Sequence, residues 1–481
     1  KQNIAINEGG GIYFTGGVGT TLSLKDQVLI EGNQVQADAG RGAGIFVGAN
    51  GALQFPPPAT PGDANKVKIT DNQAVGNNSQ GGGIFSEDNW QILPGLVNPV
   101  NVEIKGNRAA RGGGFVVAAG KIVTLGGDVK VQDNQSTGVG GGGIYVDTSG
   151  TLILKGNVQV TGNRALNVGK GGGLFAAPLS NVTLKDNTKL QGNQAGKFGG
   201  AIFADLGSQL LLQDNVLLGG TPGEANVAFK GGGIYANQVN QLVLQDNVKV
   251  IGNKTPNAGG AGIYAADTNN FILQGNVQIK ANEAGFFGAG IRLQNSTANL
   301  QGNVQVIDNI ADVSTGRGGG IYAGEGSNLN IANNVQIQNN TAFKGGGIYV
   351  DGSTLAMTDN ALVSGNQTPN AGGAGIFAFN GTVNLAGAVQ INNNTAAFFG
   401  GGVRLDGSST LISQGNVKFL SNTAQFGGGI YVGDTSSASL LGVTEVRNNT
   451  ATDGGGIFKP GTLIIGPTAT VTSNTPNDVS P

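Results

Sequence analysis

The chain has 481 residues, of which 88 are glycine and only 12% are charged, and it contains no histidine and no cysteine. Disulfides, thiolate chemistry and the commonest general base and transition-metal ligand are thereby excluded, so catalysis would have to rest on carboxylates, Lys, Tyr or Ser, with no zinc site. A net charge of −2, from 27 basic and 29 acidic residues, selects neither nucleic acid nor an anionic membrane, and no apolar run is long enough to span a bilayer.

The opening "KQNIAINEGGG" carries no initiator Met and no signal-peptide pattern, as expected of a processed chain or a segment of a longer one. From the first glycine cluster onward the chain repeats. The residue after each cluster is Ile12, Ile45, Ile84, Phe115, Ile144, Leu174, Ile202, Ile234, Ile263, Ile291, Ile321, Ile348, Ile376, Val403, Ile430 and Ile457, sixteen landmarks spaced 27 to 39 residues apart. Within a unit the order is constant, as in "GIYVDTSGTLILKGNVQVTGN" (143–163). A strand follows the glycines, then a polar turn, a second strand, a turn at "DN" or "GN", a third strand and an Asn. Each run is short, alternating and rich in Val, Ile and Leu, which predicts strands and not helices. The fold class that follows is all-β: a single parallel β-solenoid over 1–481, of about 16 coils with three short strands each.

Two early units are longer. The Pro-containing stretches 55–61 and 90–99 predict turns that bulge outward, since proline cannot donate to a ladder. A longer period lies above the coil. "TPNAGGAGIYA" (255–265) returns as "TPNAGGAGIFA" (368–378), which marks a four-coil block at 229–341 copied at 343–449. "NIA" (3–5) reads as the close of a third strand and "TVTSNTPN" (470–477) as its completion, with no capping helix or charged lid at either end. That predicts head-to-tail stacking of copies, or a segment cut from a longer rod.

Columns of equivalent residues are the candidate functional features. Asn recurs six residues apart at the ends of the third strand, and the second members, Asn163, Asn193, Asn253, Asn282, Asn309, Asn340, Asn366 and Asn422, predict a structural ladder of stacked amides. The residue after the landmark is Tyr13, Phe46, Phe85, Tyr145, Phe175, Phe203, Tyr235, Tyr264, Tyr322, Tyr349, Phe377, Tyr431 or Phe458, with Val116, Arg292 and Arg404 as exceptions. Its neighbours are aliphatic and point inward, so alternation turns the rings outward. Two readings stand: rings packed on one another or under loops, or an exposed stripe for lateral assembly or glycan contact. A smaller column, Phe198, Phe229, Phe287, Phe343, Phe399 and Phe426, predicts corner filling. The glycine clusters are not phosphate-binding loops, because no Lys-Ser/Thr and no helix follow them.

Glycine clusters followed by an aliphatic residue, with "VxxN", resemble the repeat of chlamydial polymorphic outer-membrane proteins, whose motifs are GGA-(Ile/Leu/Val) and Phe-x-x-Asn. "GGAI" stands at 199–202 and "FLSN" at 419–422, with "GGGIY" and "VTGN" (160–163) as near variants. The resemblance covers essentially the whole chain. It implies a right-handed β-helix of pectin-lyase type, displayed on a bacterial surface, commonly as an adhesin or autotransporter passenger. The same fold hosts polysaccharide lyases and hydrolases. A polygalacturonase-like site needs a histidine, which the chain lacks, and a calcium lyase needs grouped acids. The acids here are scattered as "DN" at turns (Asp71, Asp133, Asp186, Asp214, Asp246, Asp308, Asp359), where turn formation accounts for them.

The expectation is a non-catalytic, extracellular structural solenoid of a bacterial cell surface, self-associating end to end into a filament or surface layer, with lateral association as a secondary option, and with no cofactor and no metal. Its partners are copies of itself, and surface glycans or proteins form a second class; neither nucleic acid nor membrane insertion is expected. The alternatives are an adhesin or autotransporter passenger binding glycans, and, after it, a polysaccharide lyase or hydrolase.

Overall fold

Runs of three to six β-branched and aliphatic residues between Gly, Asn and Asp can bury one face only if an equivalent run lies beside them. The computed structural model, which describes residues 2–56, 65–92 and 100–481, shows that arrangement throughout. Every regular element among the described residues is a strand, and the strands pair in parallel with their equivalents one repeat away, giving about 16 turns of solenoid. The chain divides into two compact units, Lys1–Leu242 and Val243–Pro481.

In the first unit the landmark strands run from Ile12–Phe14 through Ile144–Val146 and Leu174–Ala176 to Ile234–Asn237. The register superposes like on like: Ile144 on Leu174, Tyr145 on Phe175 and Val146 on Ala176. The second face stacks Thr151–Leu154 on Asn181–Leu184, and the third stacks Gln159–Thr161 on Lys189–Gln191. The second unit is built likewise, with Ile321–Gly324 on Ile348–Asp351, Asn328–Ile331 on Thr354–Met357, and Gln336–Gln338 on Leu362–Ser364. Between the third face and the glycines many coils add a two-residue strand, such as Arg164–Ala165 on Gln194–Ala195.

The core lies between the three faces. Ile144, Val146, Leu152, Leu154, Val158 and Val160 of one coil are all fully buried. The glycine cluster brings the chain around the tightest corner. Gly427 has φ +63°, a left-handed conformation that favours glycine. At Gly429 a Cβ would lie 2.6 Å from the carbonyl oxygen of Gly456 and 3.1 Å from Nδ2 of Asn449, so only a residue without a side chain lets the next coil close in. Of the two insertions, 57–61 and 93–99 lie outside the described residues. Phe55 and Trp90, which flank them, are buried with ring centroids 6.1 Å apart, and Trp90 meets Phe115 edge-on at 5.3 Å.

Candidate functional site

The third strand ends in a left-handed corner, and the Asn just after it turns its side chain inward. In the first unit Asn3, Asn33, Asn72, Asn107, Asn134, Asn163, Asn193 and Asn226 form one run of hydrogen bonds. In the second unit the run is Asn253, Asn282, Asn309, Asn340, Asn366, Asn394, Asn422, Asn449 and Asn474. The bonding is complete. Asn134 donates its backbone N–H and its Nδ2 to Oδ1 of Asn163, both at 3.0 Å, and the second Nδ2 hydrogen goes to the carbonyl of Ile104 at 2.8 Å. Its own Oδ1 accepts the corresponding pair from Asn107. A buried amide with all four positions filled carries no desolvation penalty.

All eight asparagines chosen from the sequence stand in these runs. Most of the others lack the second Asn six residues earlier on which the choice rested, as where Asn33, Asn134 and Asn449 have Gln27, Asp128 and Val443; Asn107 has it, in Asn101. Their common signal is the Asn that directly follows the third strand. The leading asparagines make an outer row with longer bonds, such as Asn303 to Asn276 at 3.1 Å and Asn334 to Asn303 at 3.3 Å.

The aromatic column is not an exposed stripe. Phe46, Phe85, Tyr145, Phe175, Phe203, Tyr235, Tyr264, Tyr322, Tyr349 and Phe377 are all buried, Tyr431 and Phe458 are half-buried, and only Tyr13 is exposed, at 57%. The rings do alternate with the core aliphatics, and Tyr322, Tyr349 and Phe377 form an apolar cluster of their own with Phe287. Two contacts bury them. The first is stacking along the axis: Tyr145 on Phe175 at 4.9 Å and Tyr349 on Phe377 at 4.8 Å, nearly parallel. The coil repeat of roughly 4.8 Å matches the preferred separation of offset rings. The second is a layer supplied by the residue just before the glycines. Arg41 covers Phe46 and Phe85 at 5.0 and 5.1 Å, Lys170 covers Phe203 at 4.6 Å, Arg317 covers Tyr349 at 5.4 Å and Lys344 covers Phe377 at 5.5 Å. Arg41 is itself held by Glu8 and Glu87.

Arg292 and Arg404, two of the exceptions in the column, replace rings within the stack. The Arg292 guanidinium lies 4.7 Å from the Tyr264 ring and 5.7 Å from that of Tyr322; Arg404 lies 4.9 Å from Phe377 and 5.7 Å from Tyr431. A guanidinium is planar and weakly hydrated, so it can take a ring's place. Arg404 also pairs with Asp406 at 2.6 Å. The covering cations went unnoticed in sequence, although "GRGAG", "ARGGG", "GKGGG", "GRGGG" and "FKGGG" place Arg41, Arg111, Lys170, Arg317 and Lys344 at one position. Phe198, Phe287, Phe399 and Phe426 join this layer, within 4.5 to 5.3 Å of Tyr235, Tyr322, Tyr431 and Phe458, whereas Phe229 is exposed.

Burial sets the titration of this layer. It pushes the Tyr145 and Tyr349 hydroxyls up to about 12. Tyr322 is raised by burial and then by Asp351, whose Oδ2 accepts its hydroxyl at 2.7 Å. Lys344 is lowered, first by burial and then by Arg404 and Arg317.

The scattered aspartates occupy corners. Asp71, Asp133, Asp186, Asp214, Asp246, Asp308 and Asp359 all have φ between 54° and 61°. Several carboxylates accept the N–H of the preceding corner: Asp186 from Gly156 at 2.8 Å and Asp359 from Asn333 at 3.0 Å. Among the described residues no three acids stand close enough together to hold a metal ion. The arrangement commits its buried polar groups to coil-on-coil contact.

A family model described as a right handed beta helix region matches residues 59–217 and 223–417, most of the chain. No curated protein and no solved structure gives a significant match.

Proposed function

The chain belongs to the right-handed β-helix family, and we propose that it is a non-catalytic, extracellular structural protein of a bacterial cell surface whose copies associate. The observation that carries this reading is the use made of the repeated columns. The asparagines, the rings and the cations that cover them bind coil to coil, and the corner aspartates bind one turn to the next. Columns whose polar groups and rings are spent on stacking one repeat on the next suit a structural repeat protein. The likeness of the repeat to that of chlamydial polymorphic outer-membrane proteins supports the bacterial surface. Among the described residues no helix is long and apolar enough to cross a membrane.

The adhesin reading placed its glycan contacts on the aromatic column. Twelve of those thirteen rings are buried or half-buried, so this geometry does not carry it.

Immunogold labelling of intact cells that produce the protein tests the proposal. Label spread over the cell exterior supports it, and label confined to the cytoplasm overturns it. Release of unsaturated sugars from uronate polymers by the purified chain would overturn the non-catalytic part.

A further inference from the structure

In the buried asparagine runs the backbone N–H and one Nδ2 hydrogen of each residue go to the Asn of the coil that follows, and the other Nδ2 hydrogen goes back to a carbonyl of the coil before. Asn422 gives its N–H and Nδ2 to Oδ1 of Asn449 at 2.9 and 3.0 Å, and Asn449 gives the same pair to Asn474, both at 3.0 Å. Asn474 also donates both groups, again at 3.0 and 3.0 Å, but its acceptor is Oδ1 of Asp478, four residues further along.

A shortened turn makes this possible. Asp478 stands where other coils have the last glycine of the cluster: Ile457 N–H donates to its carbonyl at 2.9 Å, as Ile430 N–H donates to that of Gly456 at 3.0 Å. At Gly456 a Cβ would lie 2.8 Å from Nδ2 of Asn474. At 478 a side chain is present, and its carboxylate takes the place of the next asparagine. Asn477 Oδ1 accepts the N–H of Gly454 at 2.8 Å, while Asn477 Nδ2 and Ser480 Oγ donate to Oδ1 of Asp453 at 3.3 and 2.5 Å. Val479–Ser480 pairs in parallel with Ile457–Phe458.

We propose that Asp478 terminates the asparagine ladder and that residues 475–480 close this face of the solenoid in cis. A carboxylate accepts hydrogen bonds and donates none. It satisfies the last two donors and offers nothing to a coil beyond. An asparagine from a further coil, or from a second copy stacked on this face, would need the volume the carboxylate fills. The segment also pairs the edge of the landmark strand, and covering edges is how sheet proteins avoid joining one another. Copies that associate therefore do so through another surface unless this segment opens.

Hydrogen exchange on the whole chain, with sedimentation velocity over a range of concentrations, tests the cap. Asp478→Ala should speed exchange at Asn474 and at Gly454–Ile457 by on the order of tenfold or more, since charged hydrogen bonds to buried donors are lost. Asp478→Asn keeps the acceptor and should stay near wild type, and Asn309 should exchange alike in all three. The sedimentation coefficient of the variant with Asn477→Gly and Asp478→Gly should rise more steeply with concentration than that of the wild type, since only the variant can also stack on this face. Unchanged exchange in Asp478→Ala overturns the proposal, as does wild-type protein that grows by stacking on this face. Neither result bears on the surface labelling of cells, so the cap can fail while the surface reading stands.

Discussion

Asn309 gives both its backbone N–H and its Nδ2 to one acceptor, Oδ1 of Asn340, at 3.0 and 2.9 Å. Its own Oδ1 receives the same pair from Asn282. Asn309→Ala would strand the donors of Asn282 and the carbonyl of Ile279 in a buried site. The expected cost is about 3 kcal/mol or more, read as a lower denaturant midpoint. Asn303→Ala, in the exposed outer row, should stay within about 0.5 kcal/mol of wild type.

Two glycine-to-alanine changes separate crowding from backbone conformation. Gly429→Ala pushes a methyl to 2.6 Å from the carbonyl of Gly456 and 3.0 Å from Cγ1 of Val446. It should cost about 3 kcal/mol. Gly352 has φ +54° and open space around it. There alanine should cost only the left-handed penalty of about 1–2 kcal/mol. Thermal melts of the two variants rank them.

Phe377 is 1% exposed and lies between Tyr349, at 4.8 Å, and the Arg404 guanidinium, at 4.9 Å. Phe377→Ala should cost about 3–5 kcal/mol. Tyr13→Ala, at the exposed member of the same column, should cost about 1 kcal/mol or less. Equal, small losses at both positions in chemical denaturation would return the column to the surface.

Alkali should loosen the ring layer. Tyr145 and Tyr349 are raised to about 12 in the folded chain, chiefly by burial, from an ordinary value of 10.0. Their contribution is full below pH 10 and is lost as the pH rises toward 12. Tyrosinate absorbance followed with circular dichroism should show these two ionising late, together with loss of structure.

Acid should loosen the segment around Asn477. The Asp453 carboxyl is held below its ordinary value of 3.8 by the Ser480 hydroxyl and then the Asn477 amide. A depressed carboxylate stabilises above its unfolded value, and that contribution is lost as the pH falls through the lower, folded one. Exchange at residues 477–480, corrected for intrinsic rate, should rise below pH 4, and Asp453→Asn should remove the pH dependence.

The coil was legible in the letters because stacking in register forces equivalent residues to meet, so selection for stacking writes the same residue types at each repeat. That fixed the strands, their parallel pairing and the place of the ladder: Asn157 and Asn163, six apart, recur as Asn187 and Asn193. Alternation also told correctly that Tyr349 turns away from Ile348 and Val350. It could not tell what lies over Tyr349, because Arg317 and Phe377 reach it from neighbouring coils and a strand's own sequence does not record its cover. For the same reason the letters alone do not show that Arg404 is a plate in a stack. Asp478 carried no sequence signal, since its role depends on a shortened turn that brings its carboxylate to the place an asparagine takes in other coils. Local pattern set direction and register; burial, cover and termination were decided by which side chains the winding brought together.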